Sequence, residues 1–177
     1  MTNESAAAKA AQPATPVDFD IPAGACDCHT HIHPDPDKFP FFAGRVYTPG
    51  LASPEEMTAL HRALHMERVV IVTPSVYGPD NSATLFGMAA RGPIARGVAV
   101  IDEATSETEL DAMGKAGIRG IRLNLATGGV NDPAVGRSRF SAAVERMKAR
   151  GWHVQLFVGL GMIAAIKDLV EAAPVPV

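Results

Sequence analysis

The sequence predicts an α/β fold, a parallel sheet whose strands alternate with helical crossovers. Three observations predict it. From Ala25 onward, short apolar or β-branched runs alternate with longer stretches of helical period. Serine caps and glycine stops stand at the junctions between them. The 177 residues, 47% hydrophobic and 20% charged, can build one buried core.

Six runs have the length and composition of strands: residues 25–31, 68–73, 94–101, 118–125, 152–158 and, last, 175–177. The helix after the first strand opens on Ser53, with Pro54 at its first position and Glu56 three residues on, a capping box. Met57, Leu60 and Leu64 then form one apolar face. Ser106 and Glu109 repeat the device, and the helix they start turns Leu110 and Met113 inward and stops at Gly117. The next places Phe140, Val144 and Met147 on one stripe and stops at Gly151. Glycine just past a helix permits the positive φ that returns the chain to a strand. The last helix, residues 161–173, aligns Met162, Ile163, Ile166, Leu169 and Val170 and is ended by Pro174. An open doubly wound sheet and part of a closed barrel share this alternation, and periodicity leaves both open. No G-x-G-x-x-G, P-loop or nucleophile elbow is present, which weighs against flavodoxin-like and α/β-hydrolase-like domains.

Composition narrows the partners. With 16 Lys+Arg against 19 Asp+Glu and a net charge of −3, there is no basic field for nucleic acid. The longest nearly apolar stretch, 154–166, is too short and too interrupted to span a bilayer, so no membrane partner is expected. Residues 1–24 are Ala/Pro-rich and polar, without a signal-peptide core, and read as a disordered leader before a domain over 25–177. Cys26 and Cys28 are two residues apart on a strand, poorly placed for a disulfide, and a reducing, cytoplasmic location is expected.

Chemistry concentrates in the first strand, A-C-D-C-H-T-H-I-H-P from Ala25 to Pro34. Strand alternation points Asp27, His29 and His31 to one face and Cys28 and Thr30 to the other, with His33 continuing the parity. Imidazoles projecting together can polarise a carbonyl, relay protons or supply two metal ligands. A single histidine is more often a satisfied polar residue. An alternating run at the end of a buried strand is harder to explain that way, because burying imidazoles costs desolvation that apolar residues avoid.

The D-C-H-T-H run at Asp27 to His31 resembles the D-x-H-x-H of the first strand in the amidohydrolase-related family (amidohydrolase 2). Phe39-Pro40, Tyr47-Thr48-Pro49, S-V-Y-G-P-D-N from Ser75, G-I-R-G-I-R-L-N from Gly117 and G-W-H-V-Q-L from Gly151 resemble, in order, its lactonase branch of pyrone-dicarboxylate and sugar-lactone hydrolases. The resemblance covers almost all of residues 25–177. It implies a (β/α)₈ barrel with the site at the C-terminal strand ends. His29 and His31 would then polarise a lactone carbonyl. Arg122 would clamp a substrate carboxylate, joined by Asn124, while Tyr47, Ser75 and Tyr77 offer hydroxyls and Gln155 an amide. Each has a plain structural alternative, such as a rim ion pair for Arg119 and Arg122 or loop packing for the tyrosines. His153, near the start of its strand, reads as structural.

Two departures limit the substrate. The loop after the fourth strand begins Ala126-Thr-Gly-Gly129 where relatives that bind two carboxylates use a second arginine, with Arg137 and Arg139 only further on, so a monocarboxylate or neutral sugar lactone competes with a pyrone dicarboxylate. The fourth and fifth strands lack the Lys or His that completes a metal site in metal-dependent members. No cofactor is therefore expected, beyond weak zinc on His29 and His31. A barrel of this type takes about 250 residues, and the family's third histidine and general-base aspartate lie on its sixth and eighth strands. The expectation is the N-terminal five to six strands of a barrel, truncated, from a lactone hydrolase that is inactive as this fragment. Two alternatives accompany it: an inert half-barrel that self-associates through unclosed sheet edges, and a lactone isomerase or decarboxylase on the same scaffold.

Overall fold

A computed structural model describes residues 17–177. Most of the expected leader, residues 1–16, lies outside the described residues. Residues 17–24 are irregular backbone that ends in a turn where the Ala25 N–H donates to the Pro22 carbonyl. The chain divides into two compact units, Met1–Gly97 and Val98–Val177, taken here in turn.

In the first unit the order is β1 (Cys26–Thr30), α1 (Pro54–Ala63), β2 (Arg68–Val72), a single 3₁₀ turn (Ser75–Tyr77) and α2 (Ser82–Arg91). β3 (Ala95–Ala99) runs across the junction of the units. The capping box of α1 is complete: the Glu56 N–H donates to Ser53 Oγ at 3.2 Å and the Ser53 N–H to Glu56 Oε2 at 2.9 Å. Met57 is buried as the pattern requires, and so is His61, one turn further along the same face. β1 and β2 pair in parallel, but their register slips between Asp27 and Thr30. Asp27 faces Val69 and Thr30 faces Ile71, so three steps on β1 match two on β2. One extra residue in a strand interrupts simple alternation. α2 is not among the helices expected from the sequence, although Asn81 stands at its N-cap and Gly92-Pro93 at its end; its Gly87 lies against Ile32 and Ile71, where a Cβ would collide with both.

The second unit holds α3 (Glu107–Ala116), β4 (Ile118–Asn124), α4 (Pro133–Lys148), β5 (His153–Phe157) and α5 (Leu160–Glu171). Ser106 and Glu109 form the second capping box, and Gly117 ends α3 at φ 108°, a left-handed conformation that suits glycine. Leu110, Phe140, Val144, Met147, Met162 and Ile166 are buried as expected. Ile163 is not: it is 46% exposed, because α5 buries a narrower stripe than its apolar pattern suggests. β4 and β5 pair in parallel from Gly120 opposite His153 to Asn124 opposite Phe157. The expected strand over 175–177 does not form. The Val154 N–H reaches the Pro176 carbonyl at 2.9 Å, but Pro174 and Pro176 have no N–H to return to a ladder. Among the described residues, no helix is long and apolar enough to cross a membrane.

Candidate active site

The first unit gathers its chemistry at the end of β1. His29 and His31 stand edge to face, ring centroids 5.1 Å apart at 78°. His33 follows at 6.3 Å from His31, and its ring stacks on Tyr77 at 6.3 Å and 27°. Phe41 packs on Tyr77 in turn, at 5.4 Å. The three histidines of the motif thus form one continuous run of rings. Asp27, expected on the same face, instead meets helix α1, where its Oδ2 lies 3.0 Å from His61 Nε2. The register slip accounts for the difference.

Hydrogen bonding fixes part of the protonation pattern. His31 Nδ1 is 2.7 Å from the Val72 carbonyl, and a carbonyl only accepts, so Nδ1 carries a proton. In the neutral ring the lone pair is then on Nε2; donation from Nε2 requires the imidazolium. His33 differs in its surroundings: burial, and then the nearby charge of His31, push its pKa down to about 4, so its ring is neutral near pH 7. Its Nε2 is buried without a partner, as is the Tyr77 hydroxyl. Burial, with Asp80 adding to it, raises the Tyr77 hydroxyl to about 12, so this phenol stays protonated.

The loop after β2 that carries Ser75 and Tyr77 is locked by a buried trio that the sequence reading missed. Thr73 Oγ1–H donates to Asn81 Oδ1 at 2.8 Å and sits 2.7 Å from Thr84 Oγ1. Asn81 Nδ2 donates to the Pro79 carbonyl at 3.0 Å. Ser75 is half-buried and Tyr77 only 2% exposed, set among Val76, Ala83, Phe39 and Phe41. Tyr47 is 46% exposed in the loop that follows β1.

The second unit positions the other expected residues by β4 and β5 register. Arg122 lies opposite Gln155, and its guanidinium carbon is 4.7 Å from the centroid of the Phe157 ring, a cation–π geometry. Asn124 Oδ1 accepts from the Thr127 N–H at 3.1 Å, bracing the turn after β4. Gln155 Oε1 is buried with no hydrogen-bond partner. His153 packs over Gly120, and its Nδ1 lies 2.9 Å from the Arg119 carbonyl. These contacts make it a packing residue of the β4–β5 pair.

The donor set does not fit a closed metal site. Among the described residues no group of three His, Cys, Asp or Glu side chains is placed to hold a metal ion, and catalytic zinc takes three protein ligands. His29 and His31 supply two.

This chain is similar to known proteins over most of its length. It is 33% identical over 167 residues to a 2-pyrone-4,6-dicarboxylate hydrolase of Comamonas testosteroni, across 94% of this chain and 54% of that protein. It is 33% identical over 114 residues to a D-galactarolactone isomerase of Agrobacterium fabrum, across 64% of this chain and 38% of that one. A ligand-free crystal structure from Agrobacterium tumefaciens superposes with a TM-score of 0.76 at 26% identity, over 91% of this chain and 57% of the other. The chain therefore spans about half the length of the relatives it matches. Its β/α repeats are those of a partial (β/α)₈ barrel, as the resemblance implied. The amidohydrolase family model (Amidohydro_2) matches residues 26–177, from the first residue of β1 through the histidine run to the last residue of the sequence, and the chain belongs to the amidohydrolase family.

Proposed function

We propose that this chain carries the first-strand portion of the active site of a lactone-hydrolysing enzyme. The observation that carries the reading is the His29–His31 pair, two rings edge to face at 5.1 Å, one of them anchored through Nδ1 to the Val72 carbonyl. In the protonated ring, His31 Nε2 donates toward a ring-ester carbonyl, and charge developing on that oxygen in the tetrahedral intermediate strengthens the bond. His29 takes the same role beside it. A water adds to the carbonyl carbon, the ring C–O bond breaks, and the products are a carboxylate and a hydroxyl. On the second unit we assign Arg122 to a substrate carboxylate, with Asn124 and Gln155 as hydrogen-bonding groups. Tyr47, Ser75 and Tyr77 of the first unit serve as hydroxyl contacts. No step is routed through a metal, and zinc on the two imidazoles is weak in this reading. The substrate is a small carboxylated or sugar lactone, and the 177-residue chain alone turns over little and tends to self-associate. The similarity to a galactarolactone isomerase favours a second reading, isomerisation of a sugar lactone on the same carbonyl-polarising pair.

The test is hydrolysis of a lactone panel, including 2-pyrone-4,6-dicarboxylate and D-galactarolactone, by the protein that contains this chain. His29→Ala and His31→Ala are each expected to lower kcat/KM by about 10²–10³, the scale of one lost oxyanion donor, with unchanged circular dichroism. Turnover that survives both substitutions would remove the reading.

A further inference from the structure

His61 is an unexpected residue to find inside. It lies on the buried face of α1, one turn after Met57, and is 1% exposed. An apolar side chain would fill that place without desolvating an imidazole. Its Nε2 lies 3.0 Å from Asp27 Oδ2, and its Nδ1 is buried with no partner. A carboxylate accepts, so Nε2 carries a proton, and in the neutral ring Nδ1 keeps a lone pair unsatisfied. The other oxygen of the same carboxylate, Asp27 Oδ1, accepts the backbone N–H of His29 at 3.1 Å. The chain of contacts therefore runs from His61 Nε2–H through both oxygens of Asp27 to the His29 backbone, and it spans the point where β1 and β2 slip register.

We propose that His61 is a positioning residue: through Asp27 it holds the extra residue of β1 in place and so sets the edge-to-face placement of His29 against His31. The idea rests on the reading of that pair as the reacting groups, but it concerns where the rings stand and not what they turn over. In a regular strand, Asp27, His29 and His31 would share one face. With the slip held by the carboxylate, Asp27 is drawn to α1 while the three rings of His29, His31 and His33 follow one another. A buried histidine with one bond made and one forgone is a costly way to fill space and a direct way to aim a carboxylate.

The test is NMR on the 177-residue chain, which needs no turnover. In the unsubstituted protein the ring ¹⁵N shifts of His61 are expected to show Nε2 protonated and Nδ1 bare; the opposite tautomer overturns the proposal whatever the variants do. His61→Leu keeps the volume apolar and removes the donor. It is expected to speed exchange of the His29 amide by about tenfold, the equivalent of one lost hydrogen bond, and to abolish cross-peaks between the His29 and His31 rings. His61→Gln places an amide N–H where Nε2 stood and is expected to restore both signatures. If His61→Leu leaves them intact, or His61→Gln loses them equally, His61 only packs. Absence of lactone hydrolysis by the unsubstituted protein, with the NMR signatures as expected, would count against the proposed activity alone.

Discussion

Acid should weaken this fold at one identifiable ring. Burial and the neighbouring His31 lower the pKa of His33 from 6.5 to about 4. In the unfolded chain the ring takes a proton near 6.5, and in the folded chain only near 4. Between those values the unfolded state binds the extra proton, so stability is full above pH 6.5 and drains away as the pH falls toward 4. At about 1.4 kcal/mol per pH unit the full shift has a ceiling of about 3 kcal/mol. The ring is only half-buried, and solvent screening reduces the expected loss to about 1–1.5 kcal/mol. Other carboxylates also titrate in this range, so the measurement is a difference. Urea unfolding followed by far-ultraviolet circular dichroism at about pH 7.5 and about pH 4.5 is compared between the unsubstituted chain and His33→Phe. Phenylalanine keeps the stack on Tyr77, cannot titrate, and removes the unpartnered Nε2. The variant should lose about 1–1.5 kcal/mol less on acidification. Equal acid losses in the two proteins would refute the argument that desolvation of this ring resists its protonation.

Two further outcomes follow from geometry in the second unit. A Cβ at Gly120 would enter the His153 ring, which is held in place by the Arg119 carbonyl; Gly120→Ala should therefore cost about 1–3 kcal/mol in urea unfolding, and Gly120→Ala with His153→Ala should recover much of it. Unchanged stability in the single variant would show that the ring moves aside freely. The Arg137 guanidinium, bonded to both Asp168 oxygens at 2.6 and 2.7 Å, holds that carboxyl down at about 2. Carbon-detected titration should find it back near 3.8 in Arg137→Gln, and a carboxyl still titrating near 2 would assign the shift to another group.

What was legible in the sequence is what its neighbours decide. Ser53 with Glu56 and Ser106 with Glu109 are four-residue devices, and both formed as written. Gly117 ended its helix in the left-handed region because the turn is local too. The D-x-H-x-H run and the motifs after it pointed to the family whose model matches residues 26–177. Long-range choices were hidden. Nothing near Tyr77 says that its phenol will be enclosed by Phe39 and Phe41, residues more than thirty-five positions earlier. Nothing near Thr73 announces its bonds to Asn81 and Thr84. At the other end, the missing N–H groups of Pro174 and Pro176 are a local signal against the strand expected over 175–177, which does not form.

The strand parity of β1 shows most clearly how a local rule fails for a physical reason. Alternation put Asp27 with His29 and His31, which would make the motif three polar groups on one face. In that arrangement a carboxylate beside two imidazoles would be their natural charge partner. The structure gives the carboxylate to a histidine thirty-four residues away, on a helix whose buried face looked purely apolar. The consequence is chemical. His31 is oriented by a backbone carbonyl, which fixes one tautomer without supplying negative charge, whereas an Asp27 partner would stabilise the imidazolium directly. With Nδ1 held by a carbonyl, His31 donates from Nε2 to a carbonyl oxygen only as the imidazolium, the form the proposed reading requires. In the proposed reading the aspartate of the motif acts from the side that faces α1, by shaping the strand that carries the histidines.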